Sequence, residues 1–236
     1  MRTRELRELC RRDRDWLLEE FVRRYGAEGP GPLLPAAVLD DILTEVLEYE
    51  LVEAELPRGQ MALCDFDRRR VTVTTRLADC VRPNTDLVAL ANSTKAHELG
   101  HIRLHEADLA RTDRTTPDLF GEAPVRVLVT FRDELRKGRL SRQELRREWE
   151  ADLYASVFLV PERLLEEQKA MLRLRRAVER QEELTSRYLW RLTYELARTF
   201  GVSGTLMKNR LVDLGVLGYC DGELRVTRQA VLGLEV

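Results

Sequence analysis

The sequence predicts an α+β fold that is mostly helical, with a small β-sheet and a C-terminal helix-turn-helix-like unit. Three observations predict it. Apolar residues recur at helical spacing through most of the chain. One run, Val71-Thr72-Val73-Thr74-Thr75, is β-branched at every position and reads as a strand. Residues 186–236 follow the order helix, turn, helix, hairpin, a winged-helix outline.

Taken in order, residues 4–25 predict a helix from the spacing of Leu6, Leu9, Trp16, Leu17, Phe21 and Val22, with its arginines on a solvated face. Gly26 through Pro35 is rich in Gly and Pro and reads as a turn or linker. A second helix is expected over 36–54 from Val38, Ile42, Val46 and Leu47. Residues 61–66 are expected to pair with the β-branched run through an Asp67-Arg68-Arg69 turn. Pro83-Asn84-Thr85-Asp86 opens a helix that runs to about Glu106. A polar loop follows over 107–124, then a short strand at 125–131. Ser141 with Glu144 is a capping box that starts a helix ending at Pro161. One long charged helix is expected over 162–183. Helices at 188–200 and 205–214 flank Gly201-Val202-Ser203-Gly204, and Asp221-Gly222 is the turn of a closing hairpin.

Composition narrows the function classes. The chain has 236 residues, 44% hydrophobic and 34% charged, with a net charge of −2. That is a globular composition without a basic field to recruit nucleic acid. No run approaches the roughly 20 apolar residues of a membrane span. The N-terminus lacks the apolar stretch of a secretory signal. Cys10, Cys64, Cys80 and Cys220 are scattered, which fits reduced thiols in the cytoplasm better than a disulfide framework or a cysteine-ligated metal.

The chemistry concentrates in one window. The chain has three histidines, and they stand together in His97-Glu98-Leu99-Gly100-His101-Ile102-Arg103-Leu104-His105. Residues i and i+4 share a helix face, so His97 and His101 can address one ion. Neutral imidazole suits zinc, and a carboxylate beside the pair, Glu98, can take a proton from water that the metal has acidified. His105 is a further i+4 step, about 6 Å along the axis, too far on a continuous helix to share that ion. It is expected to support the site from behind.

A third ligand is expected in Glu148-Trp149-Glu150-Ala151-Asp152. Glu148 and Asp152 lie on one helix face, so one carboxylate can reach the metal and the other the outer N–H of a ligating histidine. Glu148 is the preferred ligand. Glu150 projects about 200° away and is the alternative. Ala151, Ala155, Ser156 and Val157-Phe158-Leu159-Val160 mark this helix as buried. Tyr154 and His105 are the candidates for stabilising an oxyanion, and spacing supports neither.

The chain resembles the ImmA/IrrE metallopeptidases. The resemblance rests on His97 to His101 with the trailing His105, and on Glu148 to Pro161, which is similar to the family's E-x-x-A-N/D-x-F-A-x-x-L-L-M-P signature. Tyr154 replaces the usual Phe, and Phe158-Leu159-Val160-Pro161 replaces Leu-Leu-Met-Pro. Leu196 to Ser203 with Arg210 to Gly215 is similar to the family's C-terminal element. The resemblance implies a zincin-like metallopeptidase core over 1–185, with active-site helices at 86–106 and 141–160, and a separate unit over 186–236. It implies Zn2+ held by His97, His101 and Glu148, with Glu98 as catalytic base and Asp152 and His105 behind the ligands. It also implies cleavage of a partner transcriptional repressor, derepressing mobile-element or stress-response genes. The alternative function is a DNA-binding regulator that uses Lys208 and Arg210 of the C-terminal unit; with few basic residues there, and Asp213 among them, packing or substrate docking is the favoured role for that unit.

Overall fold

The β-branched run forms the centre of the sheet. In the computed structural model, which describes residues 3–26, 36, 38–78, 85–112, 127–131 and 141–227, β3 (Arg70–Thr74) lies between β1 (Glu50–Ala54) and β2 (Gln60–Asp65), and β4 (Val127–Phe131) adds beyond β2. β1 runs parallel to β3, with Val52 opposite Thr72; β2 runs antiparallel to both β3 and β4, with Cys64 opposite Val71 and Leu128. Val71, Thr72, Val73 and Thr74 are all buried, as expected of a strand covered on both faces.

The helix expected over 36–54 is corrected. Leu39–Asp41 (α2) continues as a single π-helical stretch, Ile42–Val46, and the chain then turns into β1. Glu48 takes a left-handed φ of 57°, which ends the helix. Arg69 secures the corner: its guanidinium lies 4.7 Å from the Tyr49 ring and donates to Leu47 O and Glu48 O. The helical periodicity of Val38, Ile42, Val46 and Leu47 is real, but pairing with β3 overrides helix propensity from Glu50 onward.

After a short α3 (Thr75–Ala78), α4 (Thr85–Thr112) packs along the sheet, and α5 (Arg142–Leu159) packs on α4. The capping box at α5 is present: Ser141 Oγ accepts from Glu144 N–H and the Glu144 carboxylate accepts from Ser141 N–H at 2.7 Å. The single helix expected over 162–183 is two, α6 (Glu162–Glu166) and α7 (Lys169–Glu179), separated where Gln168 adopts extended backbone. α8 (Ser186–Phe200) and α9 (Gly204–Asp213) flank Gly201, whose φ of 63° ends α8 in the left-handed conformation glycine tolerates. β5 (Leu217–Cys220) and β6 (Glu223–Val226) close the hairpin through Asp221-Gly222, both at positive φ, as a type I′ turn requires. Residues 107–112 of the expected 107–124 loop instead continue α4 to Thr112; the rest of that loop, residues 27–35 of the expected 26–35 linker, the Pro83-Asn84 turn and Cys80 lie outside the described residues.

Charge pairs and core packing tie the flanks to the body. The arginines of α1 (Thr3–Tyr25) are not all solvated. Arg7 binds Asp213, Arg11 binds Glu162 at 2.6 Å and Asp13 receives Arg103. The C-terminal unit also shares the body's core: one buried cluster runs from Leu6 to Leu224 across the 185/186 boundary. Asn92 of α4 donates to Gly201 O, and Ser93 accepts from Ser203 N–H, each at 2.9 Å.

Arg210 ties α9 to the end of α5. It is 1% exposed, donates from Nε to Val160 O at 3.1 Å and pairs with Asp213 at 3.0 Å. Burial pushes its guanidinium down to about 10, against the charges of Asp213 and Glu162, so it stays charged at neutral pH. Replacing Arg210 leaves Asp213 with Arg7 alone and the Val160 carbonyl without its donor. Arg210→Leu should therefore cost about 3 kcal/mol in urea unfolding, whereas Lys208→Ala on the same helix should cost under about 0.5 kcal/mol.

Candidate metal centre

One helix turn and the packing of two helices bring three side chains together. His97 and His101, one turn apart on α4, present their Nε2 atoms 3.0 Å from each other. Glu148 of α5 reaches them from across the helix pair, with Oε2 at 3.3 Å from His97 Nε2 and Oε1 at 3.6 Å from His101 Nε2. The three groups lie within 4.8 Å of one another and could hold a metal ion. Donors about 2.0–2.1 Å from a tetrahedral ion stand about 3.3–3.4 Å apart, so these separations fit three corners of such a site. Both imidazoles are buried, while the Glu148 side chain is 24% exposed, which leaves an approach on its side.

The approach of α5 to α4 has a specific cause. A Cβ at Gly100 would stand 2.9 Å from Ala151 O and 3.0 Å from Ala151 Cα. Glycine lets the two backbones meet, and Ala151, fully buried, answers with the smallest side chain. The contact sits between His97 and His101 in sequence, so it sets how far Glu148 must reach.

Each ligating imidazole is held from its outer nitrogen. Asp152, one turn after Glu148, places Oδ1 at 2.7 Å from His97 Nδ1. On the other ligand, His101 Nδ1 lies 3.1 Å from His105 Nδ1, and His105 Nε2 lies 3.1 Å from Glu150 Oε2. Arg146 donates to the other oxygen of Glu150 at 2.9 Å. So Glu148 joins the histidine pair and Glu150 does not; Glu150 belongs to His105.

The charges follow the same division. Burial of the His97 ring works against its protonation. The charge and hydrogen bond of Asp152, with Glu148 and Glu98, outweigh it and raise its pKa well above the ordinary histidine value. His105 shifts the other way, because burial outweighs the help of Glu150. Glu150 is held below its ordinary value: its burial acts upward, but hydrogen bonds from Arg146 and His105 prevail.

Glu98 is fully buried on α4. Its charge bears on His97 and on Cys64 of β2, whose thiol is pushed up first by burial and then by Glu98. Glu98 follows His97 directly on α4, the helix that packs along the sheet.

Neither oxyanion candidate faces the ligand atoms. Tyr154, fully buried, donates its hydroxyl to Asp13 Oδ2 at 2.5 Å, and Arg103 Nε donates to the same oxygen at 2.9 Å. His105 is engaged behind His101. Asp13 thereby locks α1 to both site helices. No local pattern in α1 announces this: an acid among arginines gives no hint of partners 90 and 141 residues away.

The sequence matches no protein-family model and no curated protein. The centre is therefore read from its own geometry. No described helix is long and apolar enough to cross a membrane.

Two predictions follow from this arrangement. Gly100→Ala forces two backbones apart and should cost about 1–3 kcal/mol, with weaker metal uptake, measured by thermal unfolding and zinc titration of the same preparation. The second concerns pH. In metal-free protein the raised His97 pKa stabilises the fold fully below the unfolded value of about 6.5, and this contribution is lost as pH rises through the folded value. Metal needs the neutral ring and should bind more tightly over that same rise. Melting temperatures of the metal-free form and zinc affinities should thus run in opposite directions with pH.

Proposed function

We propose that the chain is a zinc-dependent endopeptidase. The observation that carries this reading is the His97, His101 and Glu148 trio within 4.8 Å, with the buried Glu98 next to it on the same helix. Two imidazoles and a carboxylate with one open position match the donor set of hydrolytic zinc, while a structural zinc is enclosed by four protein ligands. Zinc bound there would supply a Lewis acid that polarises the scissile carbonyl and acidifies water.

The residues divide the rest of the work. His97, His101 and Glu148 would hold the ion. Asp152 and His105 keep the two imidazoles turned so that Nε2 faces inward. Glu98 accepts the proton of the attacking water, and as the peptide bond breaks it delivers that proton to the departing amine nitrogen.

For the substrate, we favour a partner transcriptional repressor, on the similarity of His97–His105 and Glu148–Pro161 to the ImmA/IrrE motifs. DNA binding through the C-terminal unit has weaker support. Arg210 is buried against Val160 and Asp213, and Lys208 stands 6.0 Å from the Tyr219 ring centre, so α9 offers little free positive charge for phosphates.

Purified chain should hold about one zinc per molecule. Glu98→Gln should keep that zinc while lowering cleavage by about 10²–10⁴-fold. The assay is co-expression with the repressor encoded nearest its gene, followed by intact-mass analysis. A metal-free preparation that still cleaves would overturn the reading.

A further inference from the structure

Both ligating histidines must carry their proton on Nδ1 if Nε2 is to offer a lone pair inward. For His97 the acceptor of that proton is direct: Asp152 Oδ1 at 2.7 Å. For His101 the neighbour is a different group. Its Nδ1 faces another imidazole nitrogen, His105 Nδ1, at 3.1 Å. Two N–H groups cannot face each other at that distance, so a proton on His101 Nδ1 requires His105 Nδ1 to be bare. A neutral imidazole bare at Nδ1 carries its proton at Nε2. That atom lies 3.1 Å from Glu150 Oε2, an acceptor. With His101 Nε2 offered to a metal, the protons run from His101 Nδ1–H to His105 and from His105 Nε2–H to Glu150.

We propose that Glu150 and His105 form a positioning relay that sets the tautomer and orientation of His101, doing through two residues what Asp152 does for His97 through one. The proposal rests on the zinc reading above. Glu150 acts only through His105 and touches neither metal nor substrate. Arg146 completes the relay: by taking Oε1 at 2.9 Å it leaves Oε2 to His105. The relay is built from the i+4 steps 101–105 and 146–150, one on each site helix. Its outer members, His105, Arg146 and Glu150, line a cavity of about 600 Å³ with Leu6 and Arg147, whereas the ligand atoms face the opposite side of the His101 ring.

The test is metal affinity and tautomer, not turnover. Zinc affinity is measured by competition with a chromophoric chelator. His105→Ala removes the acceptor and should weaken zinc about 10–100-fold. His105→Asn, whose Oδ1 can accept from His101 Nδ1–H, should recover most of that loss. Glu150→Ala should weaken zinc by about 10-fold, at the lower end of such effects. Nitrogen-15 spectra of the zinc-loaded wild type should show His105 protonated at Nε2. Three results would each overturn the relay while leaving the peptidase reading standing: His105 protonated at Nδ1, unchanged zinc affinity in His105→Ala, or His105→Asn as weak as His105→Ala. A wild-type chain that takes up no zinc overturns both.

Discussion

The distance between α4 and α5 at Gly100 controls everything the site contains. With no side chain there, Ala151 O and Cα approach to where a Cβ would stand at about 3 Å. Carboxylate side chains are short, and Glu148 spans to both Nε2 atoms only because the helix axes are this close. The same closeness brings Asp152 to His97 and Glu150 to His105. A wider gap would demand longer side chains, and longer side chains would surrender the fixed geometry that a metal ligand needs.

Close packing around so many ionisable groups is costly unless each group is answered. The structure answers them in separate compartments. Asp152 and Glu148 serve His97 and His101, Glu150 with Arg146 serves His105, and Asp13 draws Arg103 and Tyr154 into a third set. This last set involves no ligand atom. It ties α1 across α4 and α5 on the flank away from the metal ligands, so that Gly100 and Ala151 stay pressed together. The aliphatic core from Leu6 to Leu224 supplies the background stability, and the polar sets determine the registration of the helices.

What the sequence discloses follows from the range of each interaction. The i+4 pairs 97–101, 101–105 and 148–152 are local, and they read directly as faces of helices. The Ser141–Glu144 cap and the Asp221-Gly222 turn are also local, and the structure contains both. The π-turn and β1 do not read from the sequence, because apolar spacing looks helical until a partner strand claims Glu50–Ala54. The break at Gln168 carries no Gly or Pro to mark it. Asp13 is silent for the same reason: its meaning depends on Arg103 and Tyr154, which only the fold brings near. Arg210 is the converse case, a basic residue that the alternative DNA-binding reading would have used and that the fold turns inward to cap α5.

The phase of α5 explains why Glu148 and Glu150, two residues apart, have unrelated roles. At about 100° per residue, Glu148 and Asp152 fall within about 40° of each other, and Glu150 and Tyr154 form a second pair on another side. Ala151 falls in the sector between the two pairs, facing Gly100. One stretch of seven residues, 148–154, therefore carries a ligand, a histidine partner for each end of the His97–His105 row, the contact that sets helix spacing and the tie to Asp13. Exchanging the ligand role between Glu148 and Glu150 would take about half a turn of the helix, which would carry Ala151 away from Gly100 and Tyr154 away from Asp13. The close contact thus decides, as firmly as the carboxylate itself does, that Glu148 and not Glu150 meets the histidine pair.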